Sequence, residues 1–85
     1  MNWDKTTEEK FRKILQKVPI FLRPMVEGQV SKKAEGLAKK ENHPEVTERH
    51  MVDAFFQETP FGFHGPMKND MKELGIEYTQ YGHPE

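Results

Sequence analysis

The order of apolar and polar positions divides this chain into four helical segments joined by short breaks. Phe11, Ile14, Leu15 and Val18 recur at i, i+3, i+4 and i+7, a single stripe that predicts an amphipathic helix from about Thr7 to Lys17. Thr6 and Glu9 have the spacing of a capping box at its start. Pro19 lacks an N–H and restricts the residue before it, so the helix should stop at Lys17 or Val18. Ile20-Phe21-Leu22 is an apolar connection. Pro24 suits the first turn of a second helix, which should run to about Lys40 with Val26, Val30, Ala34, Leu37 and Ala38 on one side. Gly28 and Gly36 weaken it by about 1 kcal/mol each relative to alanine.

Residues 41–45 read as a loop. Thr47 is the expected N-cap of a third helix ending near Gln57, and Val46 and Met51 have the spacing of a hydrophobic staple. Met51, Val52, Ala54 and Phe55 supply its buried face. From Thr59 to Pro66 the texture changes to turn residues and aromatics, expected to cover the core as a flap. A short fourth helix from Pro66 to Leu74 follows, with Gly75 as its C′ cap and Ile76 packing back. Residues 76–81 alternate and are expected as an extended arm. No internal repeat is visible. The predicted fold is all-α: a bundle of three helices in residues 1–58, with residues 59–85 packed on it as turn, short helix and tail. The expected core is Trp3, Phe11, Ile14, Leu15, Phe21, Leu22, Val26, Val30, Leu37, Val46, Met51, Val52 and Phe55.

Composition narrows the chemistry. The 85 residues hold no cysteine, which excludes disulfides, thiolate metal sites, cysteine-ligated iron–sulfur clusters and cysteine nucleophiles. No apolar run approaches the roughly 20 residues that cross a bilayer, and the first residues show no signal-peptide pattern, so a soluble cytoplasmic protein with no membrane partner is expected. Residues 1–41 carry ten Lys/Arg against six Asp/Glu, and residues 42–85 three against eight. A pI near 6.4 disfavours a general nucleic-acid binder, although Lys32, Lys33, Lys39 and Lys40 on the second helix are the side chains such a role would use.

Several side chains carry possible chemistry. His50 and Asp53 lie at i, i+3 on one predicted helix and, with His64, form the one metal-binding alternative. The simpler expectation is an exposed His50, with His64 and His83 in turns and no metal. No Ser–His–Asp arrangement and no phosphate-cradling glycine loop is present, so no catalytic residue and no cofactor is assigned. Arg23 is the one charged residue inside the apolar break. Either it bonds the C-terminal carbonyls of the first helix, or its planar fork anchors a partner's carboxylate or phosphate. With Phe21, Pro24 and Met25 beside it, that corner has the composition of a contact surface.

One resemblance rests on these residues. Trp3, Leu15, Val18, Pro19, Phe21, Arg23, Ala38, Val46, Thr47, Met51 and Ala54 form a pattern over residues 3–56 that is similar to the small helical module at the C-terminus of the B subunit of light-independent protochlorophyllide reductase. The stretch from Arg23 to Thr47 is about one helical turn longer than expected for it, and Asn42-His43-Pro44 stands where that module often has glycine. Glu35 matches a glutamate often found on its second helix. The resemblance implies a non-catalytic accessory module that docks on a larger redox or metabolic protein, or on itself. A long helix between two shorter ones, the last opened by Val46-Thr47, also resembles a histone-like half.

Overall fold

In the computed structural model, which describes residues 1–85, two very short strands set the frame. Strand β1 (Asn2–Trp3) pairs in parallel with β2 (Glu45–Val46), Asn2 opposite Glu45 and Trp3 opposite Val46. Each strand leads directly into a helix: β1 into α1 (Lys5–Lys17) through Asp4, and β2 into α3 (Glu48–Glu58) through Thr47. Between them runs α2 (Arg23–Lys40), and α4 (His64–Glu73) follows α3. The all-α expectation holds, with the strand pair as a small addition that two-residue strands leave no periodicity to reveal.

The start of α1 differs from expectation. Asp4, not Thr6, is the N-cap: its carboxylate accepts from the Thr7 N–H at 3.1 Å and the Thr7 hydroxyl at 3.0 Å. The strand pair explains the choice, because the Asp4 N–H donates to the Val46 carbonyl at 3.0 Å. That bond holds Asp4 in the extended backbone an N-cap needs. At α3 the expected cap is present. Thr47 and His50 form the reciprocal capping box, with histidine at the position usually held by Glu or Gln. Val46 and Met51 beside it are both fully buried.

The two inter-helix corners of the molecule repeat one design. Helix α1 ends at Val18, which is extended; Pro19 follows, then a 3₁₀ turn over Ile20–Leu22, then α2. Helix α3 ends at Thr59, also extended; Pro60 follows, then a 3₁₀ turn over Phe61–Phe63, then α4. With their leading strands, the two halves share the order strand, cap, helix, proline, 3₁₀ turn, helix. The likeness is one of element order and leaves no repeat in the sequence. Across the two corners only Pro19 and Pro60 coincide, and proline is the residue that dictates the break.

The core lies between the four helices and takes in residues from every one of them. Phe11, Ile14, Leu15, Val30, Val46, Met51, Val52 and Phe55 are buried as expected, and Trp3, Val26 and Leu37 pack partly against them. Trp3 stacks on Phe11 at 4.9 Å, Phe11 meets Phe55 edge-on at 5.8 Å, and the Trp3 indole N–H donates to Glu35 at 3.0 Å. Phe21 and Leu22 depart from expectation: Phe21 is 78% exposed and Leu22 is half-buried outside the core, because the 3₁₀ turn carries them away from α1. Gly28 and Gly36 serve no close packing, since a Cβ at either would meet nothing within 4 Å.

Residues 59–85 join this same core through Met67, Met71, Ile76 and Tyr78. The aromatic turn is a corner and not a covering flap; Phe61 and Phe63 face solvent. Gly75, with φ +74°, closes α4 in a Schellman motif: the Ile76 N–H donates to Met71 O and the Gly75 N–H to Lys72 O. Asn42, with φ 56°, does the same for α2, the conformation for which asparagine is the usual substitute for glycine. The expected extended arm is instead a second docked turn. Tyr78–Tyr81 forms a 3₁₀ helix whose i, i+3 tyrosines share one side. Tyr78 is buried, and the Tyr81 hydroxyl donates to Glu48 at 2.7 Å.

A polar cluster ties the end of α2 to the start of α3. His50 is fully buried, contrary to the exposed position expected. Its Nδ1 accepts the Thr47 N–H at 3.0 Å, and its Nε2 lies 2.9 Å from the Glu41 carboxylate. Arg49 pairs with the same carboxylate. The Arg49 hydrogen bond first, and that of His50 second, hold Glu41 down to about 2. A carboxyl depressed in the fold stabilises it above its unfolded value, near 4.3, and that contribution fades as pH falls toward 2. Glu41→Gln is therefore expected to unfold at lower urea than the parent at pH 6, with the two midpoints converging as the pH is lowered from 5 toward 2. Parallel urea titrations across that range check this.

Candidate functional site

Both proline corners open onto one groove. It encloses about 420 Å³. Its floor is Ile14 of α1, Val26 and Val30 of α2, Phe55 of α3 and Met67 of α4, and its walls are the two corners, Pro19 and Leu22 on one side and Pro60 and Phe63 on the other. Lys17, Glu58 and Asp70 are the charged residues on its rim, and Lys17 is paired with Glu73 of α4. The corners come together because α1 and α3 start side by side at the strand pair and have similar lengths, 13 and 11 residues. Their C-terminal ends, and the prolines after them, arrive at the same end of the molecule.

The exposed apolar residues belong to these corners. Apart from Met1, the large apolar side chains exposed to solvent are Ile20, Phe21, Met25, Phe61 and Phe63. All five belong to the two corners or to the first turn of the helix after one. Phe61 is 87% exposed. Single exposed apolar residues are ordinary; of these five, Met25 and Phe63 line the groove itself.

Of the four residues expected to contact a partner, Phe21, Pro24 and Met25 face solvent at this corner. Arg23 does something else. Its Nε donates to the Val18 carbonyl and its Nη2 to the Gln16 carbonyl, both at 2.9 Å, satisfying groups that the end of α1 leaves unpaired. His64 occupies the equivalent place in the second corner, with Nε2 2.9 Å from the Thr59 carbonyl. In both corners the first residue of the new helix ties back to the last carbonyl before the proline. This equivalence was hidden because arginine and histidine share only the ability to donate from a ring or guanidinium nitrogen.

The remaining sequence-predicted residues are dispersed. Asp53 meets His83 at 2.6 Å and Arg49 at 3.7 Å, and His83 stacks on Phe56 at 3.9 Å, nearly parallel. His50 serves the α3 cap and His64 the second corner, so the three residues of the metal alternative have separate partners. No group of three or more His, Asp or Glu side chains is placed to hold a metal ion. Lys32, Lys33 and Lys40 line an open cleft beside the groove, together with Gln29, Gly36 and Glu58.

Comparison with family models, with curated proteins and with solved structures yields no match. These comparisons do not bear on the similarity expected from the sequence to the protochlorophyllide-reductase module. Most of the residues that carry that similarity build the fold. Leu15, Ala38, Val46, Met51 and Ala54 are buried, Thr47 caps α3, Pro19 ends α1 and Arg23 closes the corner. Phe21 is the large apolar member of the pattern left in solvent. No helix is long and apolar enough to cross a membrane.

Arg23→Ala is expected to lower stability by about 1–2 kcal/mol, the scale of losing two partly exposed charge-assisted hydrogen bonds, while leaving the chain folded. Arg23→Lys should recover less than half of that, because a single ammonium cannot reproduce the two-pronged contact. Urea denaturation of the three proteins, with far-UV circular dichroism of each, measures both effects.

Proposed function

We propose that this chain is a non-catalytic protein-interaction module that docks through the groove between its two proline corners. The observation that carries this reading is the exposure of Ile20, Phe21, Met25, Phe61 and Phe63 in the two corners, with Met25 and Phe63 lining the apolar groove between them. Burying a side chain of that size contributes about 1.5–3 kcal/mol, and aromatic and methionine side chains are enriched at the centres of interfaces. Nothing inside the fold needs these side chains exposed, so their free energy is available to a partner. The role agrees with the one implied by the similarity to the accessory module of light-independent protochlorophyllide reductase, and a larger redox or metabolic protein is the partner class that similarity suggests.

The wild-type chain and two variants, Met25→Asp and Phe63→Asp, test the proposal by affinity capture from extract of the source cell. Both substitutions are at exposed positions and should leave the fold intact by circular dichroism. The expected result is one protein retained in near-stoichiometric amount by the wild type and reduced at least tenfold with either variant. Retention of the same proteins by all three chains, or of none, contradicts the proposal.

A further inference from the structure

Helix α2 carries the groove into a second surface of different character. Its first turn gives Met25 and Val26 to the apolar groove, and its later turns give Lys32, Lys33 and Lys40 to the neighbouring cleft. Gln29 and Glu58 line both, so the two are continuous. From Met25 to Lys40 the track is roughly 22 Å long, at about 1.5 Å per residue. These lysines differ from half of the ten other cations of the molecule. Lys10, Arg12, Lys17, Arg49 and Lys72 each pair with a carboxylate, whereas Lys32, Lys33 and Lys40 form no ion pair. Glu58, the one acid in the cleft, is itself unpaired. Gly36 lies between them, and a Cβ there would meet nothing within 4 Å, so no side chain rises from the helix at that point.

Resting on the docking role proposed above, we infer that the occupant is an amphipathic helix of a partner protein, about 15 residues long, with an apolar stripe at one end and an acidic cluster at the other. The apolar end fills the groove between the corners, where side chains at i, i+3, i+4 and i+7 meet a concave wall. The acidic end lies over Lys32, Lys33 and Lys40, which supply the complementary charge and set the orientation. A nucleic acid offers no apolar stripe for the groove, and the net charge of −1 opposes a polyanion. A membrane surface would be met by the exposed corner side chains and would leave the groove between them unfilled.

Selection of a displayed library of random 16-residue peptides on the immobilised full chain tests the inference. The selection is run beside Met25→Asp/Phe63→Asp and Lys32→Gln/Lys33→Gln/Lys40→Gln, both first shown to be folded. The expected winners combine an apolar helical stripe with a terminal Asp/Glu cluster and are not enriched on the first variant. On the lysine variant they should bind about tenfold more weakly, as three partly exposed charge pairs predict. Replacing their acids by Gln or Asn should cost the same factor on the wild type and nothing on the lysine variant. Apolar winners without acidic bias, bound equally by the lysine variant, overturn the acidic occupant and leave the docking groove standing. Peptides enriched equally on the groove variant, or none enriched at all, overturn both. Sedimentation with vesicles containing 30 mol% phosphatidylglycerol, lost in both variants and accompanied by no peptide enrichment, overturns the helix in favour of a lipid surface.

Discussion

The parallel pairing of β1 with β2 is the constraint on which the rest depends. It is only two residues wide, yet it places the caps of α1 and α3 next to each other. Asp4 is held by the Val46 carbonyl, and Thr47 follows Val46 directly. Two helices of similar length that begin together also end together. The prolines after them then turn the chain at the same end of the molecule, and the space between the turns becomes the groove. A slip of either strand by one residue would rotate its helix start and move Trp3 off Phe11, whose rings stack at 4.9 Å.

Several features were legible because their physics is local. Pro19 had to end α1, Pro24 suited the start of α2, and Thr47 with the Val46–Met51 staple marked the start of α3. Gly75 announced the end of α4. What escaped depends on partners distant in sequence. Asp4 outcompetes Thr6 as a cap because a strand 42 residues away fixes its backbone. Tyr78 reads as one position of an alternating tail until α3 and Phe56 are there to cover it. His50 looked solvent-facing because its acidic partner, Glu41, sits across a loop.

The site was half legible. The Phe21–Met25 corner stood out by its apolar, proline-flanked composition, and three of its four named residues face solvent. The matching corner at Phe61–Phe63 did not, because proline is the one residue they share. Its aromatics looked like a covering for the core. Arg23 shows the limit of reading one residue by type: the fork that suits a foreign carboxylate equally suits the carbonyls at the end of its own helix. With Arg23 and His64 as internal ties, the two corners are held by bonds within the chain.

The most direct test of the groove is site-specific photo-crosslinking in the source cell. A p-benzoylphenylalanine is placed at Phe63, in the groove wall, and in a parallel strain at Gln80, which is exposed on the docked tail. The account predicts that light joins position 63 to one defined protein, mapped to an apolar helical segment of it, and that position 80 gives no such adduct. The same adducts from both positions, or none from position 63, would contradict it.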